Sequence, residues 1–288
     1  MVEKPIFVIG AGRSGSSIFH QVFTEHPHVA WMSSLCDRDR ENPVRHRALM
    51  RGIDLPLLGT FLKRRYESAE CYGFWDHHFQ GFSRPCRDLR ADDATPRAVA
   101  ALRRAAAGLV IRRRPRLLAK ITGWPRLGFL HEIFPDARFV HVYRDGRAFA
   151  NSLLQVDFWL GWRGPAQWRW GLLDDELQRE WDANDRSFVA LAGIQWKILM
   201  RAMEAAKQSI PAANLMEVRY EDFAARPVDV FRDVAAFCGL EWDGRFERAL
   251  SGYRVESANY KWQDDLTPAQ QRVLLAVLEA DLKKYDYL

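Results

Sequence analysis

Two short segments hold the residues whose types and spacing are best suited to chemistry. The first, Gly10-Ala11-Gly12-Arg13-Ser14-Gly15-Ser16-Ser17, sits between an apolar run and a stretch of helical period. A glycine turn in that position aims successive backbone N–H groups and a helix N-terminus at an anion. The second, residues 138–152, is again an apolar run, a charged turn and a helix start. Arg144 offers a forked donor pair matched to phosphate oxygens, and Ser152, two helical turns further on, supplies a hydroxyl. The plainer reading of this second segment is a helix capped by Asp145 beside a solvated Arg144.

The glycine loop fits three templates. A nucleotide triphosphate loop needs Lys directly after the last glycine, and Ser16 stands there, which argues against triphosphate hydrolysis. A dinucleotide loop built on Gly10, Gly12 and Gly15 needs an acid about 20 residues on to hold a ribose. The chain offers Val29-Ala30-Trp31-Met32-Ser33-Ser34 there and no carboxylate until Asp37, so a nicotinamide-dinucleotide oxidoreductase stays as a weaker alternative. The third template is the 5′-phosphosulfate loop of sulfotransferases that use 3′-phosphoadenosine-5′-phosphosulfate (PAPS). Gly12-Arg13-Ser14-Gly15-Ser16-Ser17 resembles it, most closely in the tyrosylprotein and bacterial branch. Arg144 and Ser152 keep the spacing of that family's 3′-phosphate motif. Val218-Arg219-Tyr220-Glu221-Asp222-Phe223 resembles its late strand-end segment, and Asn259-Tyr260-Lys261-Trp262 its C-terminal cofactor-closing segment. The resemblance spans most of the chain outside residues 34–95.

The resemblance implies a P-loop-like α/β fold and transfer of a sulfuryl group from PAPS, with 3′,5′-adenosine bisphosphate as product and no metal. The acceptor would be a hydroxyl, or an amine, of a small molecule, lipid or glycan. By position, Gly12, Arg13, Ser14, Gly15, Ser16 and Ser17 would hold the 5′-phosphosulfate, Arg144 and Ser152 the 3′-phosphate, and Lys261 would close over the cofactor. Arg13 and Lys120, in Leu118-Ala119-Lys120-Ile121-Thr122, would carry charge on the departing phosphate. Lys120 also reads as a strand-end lysine reaching for solvent. The general base is not fixed by the resemblance. Tyrosylprotein sulfotransferases place a Glu where this chain has Ser33-Ser34, and cytosolic ones use a histidine between the two phosphate motifs. His77, His78 and Asp37 are the candidates, His77 and His78 because histidine titrates near neutrality.

The elements that must position these groups follow from the pattern. Pro5–Ile9, Leu117–Ile121, Arg138–Tyr143 and Leu215–Tyr220 read as buried strands, each followed by helical periodicity. Alternating strands and helices give a parallel sheet flanked by helices on both faces. Residues 34–95 are polar, rich in Arg and Asp and weakly periodic, and read as an irregular insertion in one domain spanning 1–288. Trp159, Trp162, Trp168, Trp170 and Trp181 lie in a Gly- and Pro-interrupted stretch suited to a pocket wall for a bulky, partly apolar acceptor, or simply to core. The arginines from Arg103 to Arg116 read as a solvated helix face.

Composition bounds the rest. The chain has 288 residues, 48% hydrophobic, which excludes a disordered or fibrous protein. Against 37 acidic residues stand 42 Lys and Arg, a net charge of +5 that suits an anionic ligand. A basic nucleic-acid binder is the alternative from another class, but no nucleic-acid module is matched. Cys36, Cys71, Cys86 and Cys238 show neither a redox pair nor zinc spacing. With no apolar run of membrane-spanning length, a cytoplasmic location is expected, and a homodimer is compatible with the sequence.

Overall fold

The computed structural model describes residues 2–253 and 258–288. Five parallel strands form one sheet in the order β2-β3-β1-β4-β5: β1 Ile6–Gly10, β2 Val29–Trp31, β3 Arg116–Thr122, β4 Arg138–Tyr143 and β5 Leu215–Arg219. The four strands expected from apolar runs are present, shifted by at most one residue at an end. β2 was not among them, because three residues are too few to display a period.

Both faces of the sheet are covered, and this is why the strands read as unbroken apolar runs. Phe7 and Ile9 point with Ala119, Ile121 and Phe139 into one core. Their neighbours Ile6 and Val8 point with Leu118, Val140 and Val142 into the other. Helices α1 (Ser16–Phe23), α12 (Pro227–Cys238) and α13 (Gly244–Ser251) supply the second core through Phe19, Phe23, Phe231 and Phe246. Phe19 and Phe231 stack with ring centroids 4.6 Å apart.

Residues 34–95 contain short helices where the sequence shows little period: α2 (Ser34–Arg38), α3 (Val44–Gly52), α4 (Leu58–Arg65) and α5 (Tyr72–His78). Helices of five to nine residues cover barely two turns, so their periodicity is hidden. Phe74, Trp75 and Phe82 of this stretch are buried in the first core, beside α6 (Pro96–Ala107) and α7 (Leu127–Ile133). A third apolar cluster joins α8 (Gly146–Leu154), α10 (Phe188–Lys207) and α15 (Pro268–Lys284), with Trp159, Trp168 and Trp196 inside it. The remaining helices are α9 (Asp175–Ala183), α11 (Tyr220–Ala225) and α14 (Lys261–Asp265).

The arginine run 103–116 is not wholly solvated. Buried Arg114 donates to the carbonyls of His26 and Val29 and pairs with Asp54 at 2.5 Å. Arg116 donates to the carbonyls of Lys4 and Cys238. These two arginines satisfy carbonyls ahead of β1, around the start of β2 and at the end of α12 rather than presenting charge to a partner.

Candidate active site

The sheet reverses its winding at β1, since β3 lies on one side of it and β4 on the other. Loops leaving the carboxyl ends of β1 and β4 therefore part there and open a crevice, the position where parallel α/β sheets bind ligands. The glycine loop leaves β1 into this crevice. Gly15 caps α1 with φ +79, and a Cβ there would overlap the Tyr220 ring, so only glycine fits. The amides of Gly15, Ser16 and Ser17 have no backbone carbonyl partner among the described residues. Ser14 is 1% exposed and its Oγ has no hydrogen-bond partner there either. Unpaired donors turned to one turn at a helix N-terminus fit the oxygens of a phosphate or sulfate group.

At the end of β4, Arg144 is buried and held on three sides. Its Nε donates to Asn259 Oδ1 at 2.7 Å, one terminal nitrogen donates to the Arg13 carbonyl at 3.3 Å, and the guanidinium lies 4.6 Å over the Tyr220 ring. Burial lowers the pKa of Arg144, while neighbouring Tyr220, Glu221 and Asp145 act to raise it. Glu221 accepts from Asn259, from the Asp145 amide at 3.2 Å and from Tyr287 at 3.0 Å, which ties β4, β5 and the C-terminus into one network. Arg13 Nε donates to Ser152 Oγ at 2.9 Å. Through Arg13 the structure thus brings Arg144 and Ser152 to the loop. Asn259 is a member of this network that was not singled out in the sequence. Lys261, two residues on, is exposed at the start of α14 and makes no hydrogen bond or ion pair to the loop among the described residues.

At the end of β3, Lys120 Nζ donates to Ser17 Oγ at 2.7 Å and pairs with Glu70 at 3.1 Å. It is 9% exposed, so the reading of a lysine reaching into solvent does not hold. Glu70 also accepts from Thr122 Oγ1 at 3.0 Å, and Tyr72 donates to the Thr122 carbonyl at 2.6 Å. Glu70 borders a cavity of about 510 Å³ that also meets Gly12, Arg13, Ser16 and Ser17. It is the one carboxylate lining that cavity among the described residues, beside four arginines: Arg13, Arg84, Arg126 and Arg169. Aromatic rings build the far wall, with Trp124 and Trp170 edge to face at 5.6 Å and Trp159 and Trp168 from the tryptophan-rich stretch. Those two indoles are at once core and wall, and Trp159 is fixed by donating to Gln195 at 2.9 Å.

The structure does not bring the three suggested bases to this cavity. Asp37 Oδ1 accepts from the Phe74 amide at 2.7 Å near the start of α5. His77 pairs with Glu41 at 3.4 Å, and His78 Nε2 lies 3.0 Å from the Arg40 carbonyl. None of the three lines the cavity. Glu70 was missed because nothing around it forms a motif. It is placed by the pairing of Ser68 with Ser33 and of the Ala69 amide with the Met32 carbonyl, just past the end of β2.

A parallel α/β sheet with an anion loop after β1 and a cationic strand end at β4 is a P-loop-like α/β fold with a site for an anionic ligand. The model of the Sulfotransferase family matches residues 5–244, and the chain belongs to that family, an enzyme of sulfuryl transfer. No curated protein matches the sequence. Among solved structures it is similar to the sulfotransferase STF9 from Mycobacterium avium, at 16% identity and a TM-score of 0.59, over 99% of this chain and 78% of that one. It is also similar to the sulfotransferase STF1 from Mycobacterium tuberculosis, at 18% identity and a TM-score of 0.53, over 96% of this chain and 77% of that one. These likenesses share the fold. The family match displaces the dinucleotide reading of the glycine loop and the alternative of a basic nucleic-acid binder.

Proposed function

We propose that the chain transfers the sulfuryl group of PAPS to a hydroxyl, or an amine, of a bulky and partly apolar small molecule, lipid or glycan. PAPS supplies the activated sulfuryl group, whose bond to the 5′-phosphate breaks as a bond to the acceptor oxygen forms. Residues 12–17 would cradle the 5′-phosphosulfate, with Ser14 Oγ supplying a donor that has no other partner. Arg144 and Ser152 would hold the 3′-phosphate, with Asn259 orienting Arg144 and Lys261 covering the site. Arg13 and Lys120 would stabilise charge on the departing phosphate, a kind of contact worth about 3–4 kcal/mol per preorganised donor. Glu70 would take the acceptor proton, in place of Asp37, His77 or His78. The observation that carries this reading is the Lys120 bridge, one ammonium joining Ser17 of the loop to the cavity's carboxylate. It holds the carboxylate and the loop at one reacting centre, where the acceptor and the departing phosphate would face each other across the sulfur of an in-line displacement.

The test is thermal unfolding with 3′,5′-adenosine bisphosphate beside AMP, ATP, NAD and NADP. A ligand at 100 times its Kd stabilises by about 2.7 kcal/mol, a shift of several degrees for a chain of this size. Stabilisation that requires the 3′-phosphate is the expected result. An equal shift with AMP, or a larger one with NAD, would refute the donor assignment.

A further inference from the structure

The densest run of exposed apolar side chains along the chain lies in and between α3 and α4. Of eleven large hydrophobic residues exposed among the described residues, five lie between positions 44 and 61: Val44, Leu55, Leu57, Leu58 and Phe61. Leu57 is 90% exposed and Phe61 62%, and Leu57 holds a positive φ of 62 at the cap of α4. The segment's contribution to the core is already made by Leu49, Met50 and Ile53, which are buried. The outward leucines and phenylalanine are therefore surplus to folding, and exposed apolar patches of this kind mark contact surfaces.

Charge around them is mainly positive. Residues 44–66 contain Arg45, Arg47, Arg51, Lys63, Arg64 and Arg65 against a single acid, Asp54, which is taken by buried Arg114; Arg45 pairs with Asp39 and Lys63 with Glu25. The side chains of Arg47, Arg51 and Arg64 make no hydrogen bond or ion pair among the described residues. On α3 the outward stripe runs Val44, Arg47, Ala48, Arg51, and on α4 exposed Leu58 and Phe61 precede Arg64 and Arg65. Lys63 borders a cavity that also meets Ser17 and Lys120, but Val44, Leu55, Leu57, Leu58, Phe61 and the arginines of the segment border neither that cavity nor the one at Glu70, so their face serves something other than the reaction centre.

We propose that α3, α4 and the loop between them form a docking face for an anionic lipid bilayer. Apolar tips enter the boundary between headgroups and acyl chains while free arginines meet lipid phosphates, the two contributions that hold interfacial helices at a membrane. Charge decides against the other occupants. A second copy docked about a two-fold axis would set this basic face against itself. Nucleic acid would meet the arginines but give the leucines no apolar environment.

The experiment is co-sedimentation of the full chain with vesicles of phosphatidylcholine alone and of phosphatidylcholine mixed with phosphatidylglycerol. Binding is expected to the mixed vesicles only, and to weaken with added salt. Arg51→Glu with Arg64→Glu, and separately Leu57→Asn with Phe61→Ser, should each lower the partition coefficient on the order of tenfold or more. All four positions are solvent-facing, and unchanged thermal unfolding of both variants would confirm that the fold is retained. Absence of binding to the mixed vesicles overturns the proposal, and so does binding that both variants keep. Elution of the wild type as a dimer that Leu57→Asn with Phe61→Ser converts to monomer, without vesicle binding, would assign the face to self-association and overturn it as well.

Discussion

The two ends of the site are built differently. The end around Arg144 is a closed network in which Arg13, Ser152, Asn259, Glu221 and Tyr287 hold one another at strand termini and at the C-terminus. The end around Glu70 is a cavity with one carboxylate, four arginines and a wall of indoles from segments far apart in sequence. A rigid network suits a constant, multiply charged partner, because its donors are fixed before binding. An aromatic cavity walled by loops suits a partner that differs between relatives, because loops change without disturbing the sheet. Arg13 belongs to both ends, donating to Ser152 and bordering the cavity, and Lys120 ties Ser17 of the loop to Glu70.

The sharpest way to break this contrast lies at the Lys120 bridge. Glu70→Gln should lower turnover by about 10²- to 10⁴-fold, the range for losing a general base, and leave affinity for 3′,5′-adenosine bisphosphate near wild type. Lys120→Ala should lower turnover by about 10²- to 10³-fold. Steady-state kinetics with an equilibrium binding measurement separates these outcomes, and loss of nucleotide affinity in Glu70→Gln would show that the two ends are not separable.

Next in size is Gly15→Ala, which forces a side chain into the Tyr220 ring at φ +79. It should cost about 1–3 kcal/mol of stability in denaturant unfolding and also weaken nucleotide binding. At Gly12, where no atom lies within 4 Å of an added Cβ, alanine should leave stability within about 1 kcal/mol of wild type. Equal losses at both glycines would mean that the loop is not held by Tyr220.

Arg144→Ala should raise the donor KM more than it lowers turnover. Asn259→Ala should do the same on a smaller scale, about 1 kcal/mol or several-fold, since it removes one hydrogen bond that orients Arg144. A fall in turnover at saturating donor, with KM unchanged, would move Arg144 from binding to chemistry.

A last effect concerns pH. His20 on α1 is buried, and burial together with nearby Lys120 pushes its pKa from 6.5 down to about 3. The unfolded chain therefore binds a proton that the folded chain refuses. The stability this represents is fully present above pH 6.5 and is lost as pH falls towards 3, at up to about 1.4 kcal/mol per pH unit. His20→Gln should flatten the acid arm of a stability profile between pH 6.5 and pH 5 by up to about 2 kcal/mol. An unchanged slope would show that His20 titrates normally.

Much of the first end was legible before folding. Glycines after an apolar run, and Arg144 with Ser152 eight residues on, are local arrangements in which strand, turn and helix follow directly in the chain. The parallel sheet was legible for a similar reason, since unbroken apolar runs mean strands buried on both faces. Glu70 was not legible, because it reaches its place through contacts between segments with no local signature, and although the segment of Asn259 was legible by resemblance, its bond to Arg144 was not. The Ser68 bridge to Ser33 sets Glu70, and Asn259 meets Arg144 across more than a hundred residues. His77 and His78 had chemically apt side chains, but α5 turns them toward Glu41 and the Arg40 carbonyl.

What the sequence by itself determined was the class of chemistry: an anion loop, a second cationic strand end and a sheet to carry both. Backbone conformation and hydrophobic period are properties of neighbours in the chain, so they can be read from it. Which carboxylate faces the loop, which arginine is buried and which leucines stay outside were decided by tertiary packing alone. Those are facts of distance between residues remote in sequence, and burial sets them only when the whole sheet has been covered.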